Sequence, residues 1–411
     1  MTGTIDPSVR PPNSPAARRL RGLSRQCALL FAVALFGYPI VGSLISLFQL
    51  ESRVLSIPFR IAVGLFSLWL YVSTRRLKID GWRQLMLVIW FLYCLRLIYD
   101  WVFPNLDGAD YALQFFVATS VLPAMALMKA DAYQQRRFAL IGFITAGAGT
   151  IISLLAALFG SAAVQDVTTT TGRLSLAALN AVSLGYLATS AILCGFVLWR
   201  GARMGAKLCL AAMFVVLLWG LVLTGSKGPA LALVFCMGLW AIRNGQAWKF
   251  GILAVPLLVV ALASEGNPLV ERLSGSQEDE STIDRLIVLT DSLHQIEGSP
   301  FLGSAFVELN SGFYPHNVFI EAALAFGIPG ALLFLALMMF GCFRSWQLLK
   351  GTNALLGLLY FEALFAASTS GAIFGATLLW VTLALLPRAT VDMRRGRKRG
   401  AARELVPSLQ V

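Results

Sequence analysis

The chain has 411 residues, of which 57% are hydrophobic and only 13% are charged. Soluble globular domains carry about 25% charged residues, so this composition excludes that class and predicts an integral membrane protein. The formal net charge of +12 would also suit a nucleic-acid-binding protein. In a membrane protein, however, basic residues hold loops in the cytoplasm, and no nucleic-acid partner is expected.

The six cysteines lie within or beside apolar segments, and none lies in the long polar segment around residue 290. The sequence therefore predicts neither a disulfide framework nor a Cys/His metal site. We expect no metal and no other cofactor.

Apolar runs long enough to cross a bilayer predict an all-α membrane protein with about twelve transmembrane helices. A basic, Pro-rich tail over 1–26 is expected to be cytoplasmic and disordered, and nine helices follow over 27–263. A polar extracytoplasmic loop over 264–317 leads to three helices over 318–387 and a basic cytoplasmic tail over 388–411. The predicted spans are 28–49, 54–74, 84–103, 111–128, 138–159, 179–199, 206–224, 228–242, 248–263, 318–340, 353–370 and 372–387.

The distribution of basic residues predicts the orientation of these helices. With the N-terminus in the cytoplasm, alternating spans place most of the 33 lysines and arginines on the cytoplasmic side, as the positive-inside rule requires. Both termini are then cytoplasmic, and the loop over 264–317 lies outside.

A helix is predicted within this loop. Ser281-Thr-Ile-Asp284 has the pattern of a capping box, and Gly298-Ser-Pro300 would end the helix. We expect this amphipathic helix to lie on the bundle, with Arg285 in its first turn. The positive end of the helix dipole does not stabilise a cation there, so Arg285 requires another partner. An anionic ligand is one candidate. The apolar residues that recur at helical spacing are Ile283, Leu286, Ile287, Leu293 and Ile296.

Lys227 lies in a tight turn, Leu223-Thr-Gly-Ser-Lys-Gly-Pro229, between two predicted spans. The glycines permit close backbone approach, so the lysine is a candidate phosphate contact. The alternative is a lysine that extends its amine to the membrane surface and binds no ligand. The spacing of a nucleotide-binding P-loop is absent.

His316 lies in Tyr314-Pro-His-Asn-Val-Phe-Ile-Glu321, where the loop re-enters the membrane. Its near-neutral pKa makes it the best candidate for a general base, and Glu321 could orient its ring or act itself. The alternative is an ordinary polar residue at the boundary of a span. His294 is predicted to lie on the surface.

Three further charged residues stand out among the outer and membrane segments. Arg173 lies in a shorter outer loop and is a candidate anion-binding residue. Arg96 and Asp100 lie near the outer end of the third span, where charge is costly. Because they are four residues apart on a helix, we predict that they form a local ion pair.

Together, these motifs resemble those of the O-antigen ligase and polysaccharide polymerase family. Thr224-Gly-Ser-Lys-Gly228 is similar to the family's T-x-S-R-G turn. Arg285 with Pro300-Phe-Leu-Gly303 is similar to its R…P-x-x-G-x-G segment, and Pro315-His-Asn317 with Gly327-Ile-Pro-Gly330 is similar to its H-N…G-x-x-G segment. Two departures are Lys227 in place of arginine, which loses bidentate phosphate binding, and Ser304-Ala305 in place of the second glycine of G-x-G.

The resemblance implies an inverting, metal-independent glycosyltransferase on the outer face of a bacterial inner membrane. The donor would be a glycan on a polyprenyl diphosphate such as undecaprenyl diphosphate, and the acceptor a glycan or lipid A-core. Membrane lipids and other components of polysaccharide export are further expected partners. The implied residues are Lys227, Arg285 and Arg173 for the diphosphate, His316 and Arg285 for catalysis, and Ser226, Asn317 and Glu321 in support.

Two activities within this family are left open, and a third function lies outside it. A polymerase, which joins lipid-linked repeat units of O-antigen or exopolysaccharide, is preferred. The loop is modest in size, and Tyr314–Glu321 looks more like the polymerase branch. A ligase would instead transfer the glycan to lipid A-core. A flippase for lipid-linked sugars also fits twelve spans, but the sequence shows no internal repeat and few charges at mid-membrane depth.

Overall fold

The structure is a computed structural model that describes residues 15–74, 81–103, 105–129, 133–159, 176, 179–246, 280–350 and 353–386. Within these ranges the regular secondary structure is helical, apart from an isolated bridge between Leu176 and Leu179. A π-helical turn, Phe116–Val121, joins α4 to α5. The helices are α1 (Pro15–Phe48), α2 (Ser52–Ser73), α3 (Gly81–Val102), α4 (Ala109–Phe115), α5 (Leu122–Lys129), α6 (Gln135–Phe159), α7 (Ala181–Trp199), α8 (Met204–Leu223), α9 (Lys227–Arg243), α10 (Glu280–Gly298), α11 (Val318–Leu349), α12 (Ala354–Thr369) and α13 (Thr377–Leu386).

Apolar composition accounts for most of these helices and confirms the all-α membrane class. Eight helical stretches in the described ranges are long and apolar enough to cross a membrane, and α12 and α13 are shorter apolar helices. Each predicted span coincides with a described helix except 248–263, which lies outside the described residues. The total of twelve spans and the sidedness of the loop and termini therefore stay predictions. The last predicted span, 372–387, is shorter than expected, because α13 begins at Thr377.

An aromatic cluster lies where several helices meet. Trp380 of α13 is fully buried. Its ring lies edge-on to those of Trp90, Phe116 and Phe334, with ring centroids 5.9, 6.0 and 6.1 Å away. The cluster therefore fixes α13 against α3, the π-helical turn and α11. Edge-to-face pairs of this kind add to the stabilisation that burial alone provides.

The lengths of α12 and α13 indicate that their connection is recessed in the membrane. α12 has 16 residues and extends about 24 Å, less than the ~30 Å hydrocarbon core. α13 extends about 15 Å. Irregular backbone at such depth is stable only where it is buried in protein or lines a cavity. Within 370–376, Ala372 and Ile373 are buried, whereas Gly375 is exposed, and most of the segment lines a cavity.

α11 is broken at Gly327, whose φ of 69° and ψ of 179° are not helical. From Ile328 to Leu349 the helix extends about 33 Å, which is enough to cross the hydrocarbon core alone. The shorter arm, 318–326, therefore turns away near the membrane surface. The sequence predicted one continuous span here, so the break corrects that prediction.

The segment that follows α10 docks on this break. Gly303 and Gly327 both have positive φ, 72° and 69°. A Cβ on Gly303 would lie 2.3 Å from the carbonyl oxygen of Leu324, and a Cβ on Gly327 would lie 2.4 Å from the carbonyl group of Phe301. The N–H of Ser304 donates to the carbonyl of Leu324 at 2.8 Å. Only glycine permits both the backbone conformation and this close approach.

An ion pair at the end of α3 holds the same segment. Arg96 and Asp100 lie 2.6 Å apart, which confirms the predicted pair. Asp100 is fully buried, and its second oxygen accepts the N–H of Phe306 at 2.9 Å. Arg96 also donates to the carbonyl of Ser304. The pair is thus a bridge between a membrane helix and the loop, and its hydrogen bonds offset the cost of burying charge.

Candidate functional site

The predicted site residues converge on the C-terminal end of α12, Ser368–Ser370, here called the α12 end. Asn317 donates to the first carbonyl of this segment at 3.0 Å, and Arg285 reaches the second at 3.5 Å. The ring of His316 lies beside the backbone of the third residue. The last carbonyls of a helix have no intrahelical partner and form the negative end of its dipole. They therefore attract donors and cations from two distant parts of the chain.

His316 has a strained backbone and a half-buried ring. Its φ of 55° lies in the left-handed region, which is uncommon for residues other than glycine and concentrates at functional sites. Its ring centroid lies 4.5 Å from that of Tyr314, and its Nδ1 is buried without a hydrogen-bond partner among the described residues. Burial lowers the pKa of His316, and the charge of Arg285 lowers it further, while the Ser370 backbone raises it. The neutral ring is the form that can accept a proton.

Arg285 lies on the side of α10 that faces the bundle, together with the buried Val288 and Ser292. α10 begins at Glu280, so Arg285 lies in the second helical turn rather than the first. Its guanidinium group is half-buried and forms part of a cavity wall. The arginine therefore places a positive charge between the loop helix and the α12 end.

Several apolar residues of α10 face away from the bundle. Leu286 and Ile287 are 57% and 55% exposed, and Leu293 is 47% exposed. Arg285 contacts the α12 end, and residues three and seven positions later are buried on the same face. The apolar residues between them consequently face outward.

Lys227 is the first residue of α9 and is half-buried. Ser226 lies at the N-cap position, where its buried side chain forms no capping hydrogen bond. The hydroxyl of Tyr186 lies 3.2 Å from the position of a Cβ on Gly228, and it lies 3.3 Å from the hydroxyl of Thr369. The turn is therefore adjacent to the α12 end. The positive end of a helix dipole and an ammonium group together favour an anion there.

Asn317 and Glu321 hold the backbone around the histidine. Asn317 is the N-cap of α11, and its side-chain oxygen accepts two N–H groups of the first turn. Glu321 is fully buried and accepts from the hydroxyl of Tyr93 and from the N–H of Ile373 at 2.7 Å. Both of its oxygens are therefore engaged away from His316. These bonds tie α11 to α3 and to the segment that follows α12.

Two predicted positions lie outside this convergence. Arg173 falls outside the described residues, so its role stays a prediction. His294 is on the surface as predicted, because its side chain is 73% exposed and lies 3.5 Å from that of Glu297.

A cavity of about 380 Å³ lies beside the α12 end. Arg285, Tyr314 and His316 form one part of its wall, and Lys227 lies beside the wall rather than on it. The rings of Phe115, Phe374, Tyr314 and His316 follow one another with centroids 6.2, 6.0 and 4.5 Å apart. Such a wall suits an amphiphile with an anionic group at the charged end. The inner part of the wall is apolar and includes Ala34, Val63 and Leu379.

Sequence reasoning missed the α12 end, Tyr186 and Tyr314. Tyr314 lies two residues before His316 in the same motif, so its proximity to the histidine could have been predicted from the sequence. The only signal for the α12 end was the run Ser368-Thr-Ser-Gly371 after a short apolar stretch. The α12 end contributes backbone carbonyl groups. Because every residue has one, no residue type marks this segment in the sequence.

Residues 212–335 match the family described as O-antigen ligase. This match supports assignment to the O-antigen ligase/polymerase family. The matched region contains Lys227, Arg285 and His316, whereas Arg173 precedes it. It also contains Gly303 and Gly327, whose contact forms the docked loop. No curated protein gives a significant match to the chain. Proteins of this family are expected to act on a lipid-linked glycan and an acceptor within a membrane.

Proposed function

We propose that this protein is a glycosyltransferase that joins polyprenyl-diphosphate-linked repeat units on the outer face of a bacterial inner membrane. Both termini lie in the cytoplasm in this proposal. The observation that carries it is the convergence of Arg285, His316 and the turn containing Lys227 at the α12 end, beside a cavity. Two cations and a neutral base around one recess match the needs of transfer from a diphosphate.

In the proposed reaction, an acceptor hydroxyl attacks the anomeric carbon of the donor sugar from the side opposite the diphosphate. The new carbon–oxygen bond forms as the bond to the phosphate oxygen breaks, so the anomeric configuration inverts. The electron pair leaves with the diphosphate, and the hydroxyl proton passes to the imidazole ring of His316. Arg285 and Lys227 stabilise the charge that develops on the leaving group. This assignment needs no metal ion and no general acid, because the diphosphate leaves as a weak base.

The environment of His316 supports its role as the base. Its lowered pKa keeps the ring neutral near pH 7, and the ring lies beside the backbone of Ser370. Tyr314 packs against the ring and limits its rotation.

The remaining predicted residues have supporting roles in the proposal. Asn317 joins α11 to the α12 end, Glu321 holds the adjacent segments, and Ser226 precedes Lys227 at the N-cap of α9. Arg173 is proposed as a third diphosphate contact on the basis of its charge. Other components of polysaccharide export are proposed partners.

The alternative is a ligase that transfers the lipid-linked glycan to lipid A-core. The observation that favours it is the description of the matched family as O-antigen ligase. Polymerase and ligase share the donor and the leaving group, so the cationic site serves either reaction. We prefer the polymerase because the loop is modest in size and its histidine motif resembles the polymerase branch.

A deletion strain tests the proposal, with separate analysis of polyprenyl-linked glycan and of glycan on lipid A-core. Loss of long chains with retention of single repeat units identifies a polymerase. Long chains that accumulate on the polyprenyl carrier while lipid A-core stays bare identify a ligase. If neither pool changes in a strain without a redundant enzyme, glycan transfer is wrong and a flippase becomes the alternative to examine.

A further inference from the structure

The outward face of α10 continues into a larger apolar surface. Leu286, Ile287 and Leu293 are exposed on the helix, and the next segment adds Phe301 and Leu302, which are 75% and 84% exposed. Large apolar side chains exposed in a contiguous patch mark a surface that another apolar phase or molecule covers. We call these five residues the outward patch.

The hydrogen bonds of this region set its height relative to the membrane. The N–H of Ile328 donates to the carbonyl of Pro300 at 2.7 Å, where the membrane-crossing arm of α11 begins. Arg285 reaches Thr369 at 3.5 Å, at the end of a helix about 24 Å long. Both contacts place α10 and the following segment at the membrane surface rather than above it.

The outward patch is also continuous with a surface that faces lipid. Ile328 is 48% exposed, and the next turns of α11 expose Leu332 and Met339 by 59% and 58%. A helix that crosses the membrane presents such side chains to acyl chains. Phe301 and Leu302 follow Pro300 directly, so the apolar surface of α11 extends to this segment. α10 also exposes the polar Thr290, His294 and Glu297, which suit the headgroup layer rather than the acyl chains.

We infer that the outward patch inserts into the interfacial region of the lipid leaflet on the side of the candidate site. α10 then lies in the membrane plane, with its inward face on the protein and its outward face among phospholipid headgroups and upper acyl chains. Arg285 holds the inward face of α10 on the protein, and lipid covers the outward face. The inference concerns the surface of the protein and does not depend on the proposed function.

Spin labels test this placement in the full-length protein reconstituted in phospholipid nanodiscs. Single cysteines replace Leu293 and Leu302 in a background that lacks the partly or fully exposed Cys94, Cys209 and Cys342. Leu332→Cys provides the lipid reference. Asn310→Cys provides the water reference, because Asn310 lies in an exposed turn. Accessibility to oxygen, which partitions into lipid, is compared with accessibility to a water-soluble nickel chelate.

Insertion predicts that labels at Leu293 and Leu302 behave like the label at Leu332, with oxygen strongly favoured over the nickel chelate. A preference for nickel like that at Asn310 would overturn the inference. Low accessibility to both reagents would also overturn it, because a second copy or another part of the chain would then cover the patch. Both side chains point outward, so the substitutions remove no internal packing. The readout is independent of glycan transfer.

Discussion

Arg285 lowers the pKa of His316 while both residues contact the α12 end, one at Thr369 and the other at the backbone of Ser370. The same positive charge can therefore serve two purposes. In the proposed reaction it stabilises the leaving diphosphate, and it keeps the neighbouring base neutral. This coupling gives the site a specific dependence on pH.

Arg285→Gln should move the acidic limb of the pH profile of kcat/KM to higher pH. Loss of the arginine charge removes one cause of the lowered pKa of His316, so the ring becomes protonated at a higher pH. Since the base works only when neutral, activity then falls earlier as the pH decreases. The matched control is Arg285→Lys, which keeps the charge and should leave the limb in place. An unmoved limb in Arg285→Gln would contradict the coupling.

His316→Ala should reduce glycan transfer by about 10²- to 10⁴-fold, the usual contribution of a general base. The protein should remain in the membrane at its normal level. His294→Ala is the control, because that side chain is 73% exposed and lies outside the site, and its activity should stay within about twofold. Transfer can be measured with lipid-linked repeat units and purified protein. Normal activity of His316→Ala would remove the residue from the mechanism.

Lys227→Ala should reduce transfer by about 10- to 100-fold, the effect of losing one charge-assisted hydrogen bond of about 1.5 to 3 kcal/mol. Lys227→Arg should keep most of the activity, because it retains a cation at the start of α9. The comparison requires equal amounts of each variant in the membrane. An inactive Lys227→Arg beside an active Lys227→Ala would show that the lysine does not bind phosphate.

Gly303→Ala and Gly327→Ala should each lower the melting temperature of the detergent-solubilised protein more than Gly312→Ala does. All three glycines have positive φ, so each substitution causes strain of about 1 to 2 kcal/mol. A Cβ on Gly303 or Gly327 would in addition collide with backbone atoms, whereas a Cβ on Gly312 meets open space. Equal destabilisation by all three would mean that the loop does not dock tightly on the break in α11.

The sequence was sufficient for the helices and for three of the residues that converge. Apolar runs define spans because the bilayer excludes unpaired backbone, whatever the tertiary packing. Lys227 and His316 were identifiable because each interrupts an apolar pattern with a charge or a titratable group. Arg285 was identifiable because a cation near the start of a helix gains nothing from the helix dipole.

The sequence could not predict the orientation of α10 or the break at Gly327, and the reasons differ. An apolar stripe indicates the inward face of a helix only where water bathes the other side. At a lipid surface both faces can bury apolar groups, so the position of Arg285 decides the rotation. The run Gly327-Ile-Pro-Gly330 lies within an apolar stretch, and only the contact with Phe301 shows that the helix breaks there.

The short α12 and α13 also determine how substrates would meet. Because the connection between them is recessed, the proposed reaction at the α12 end would take place within the membrane boundary, just below the lipid headgroups. A carrier anchored in that leaflet would reach the site by lateral diffusion and would not have to leave its layer. The encounter is then a two-dimensional search, and the rate would follow the number of carrier molecules per unit area of membrane rather than their concentration in the surrounding solution.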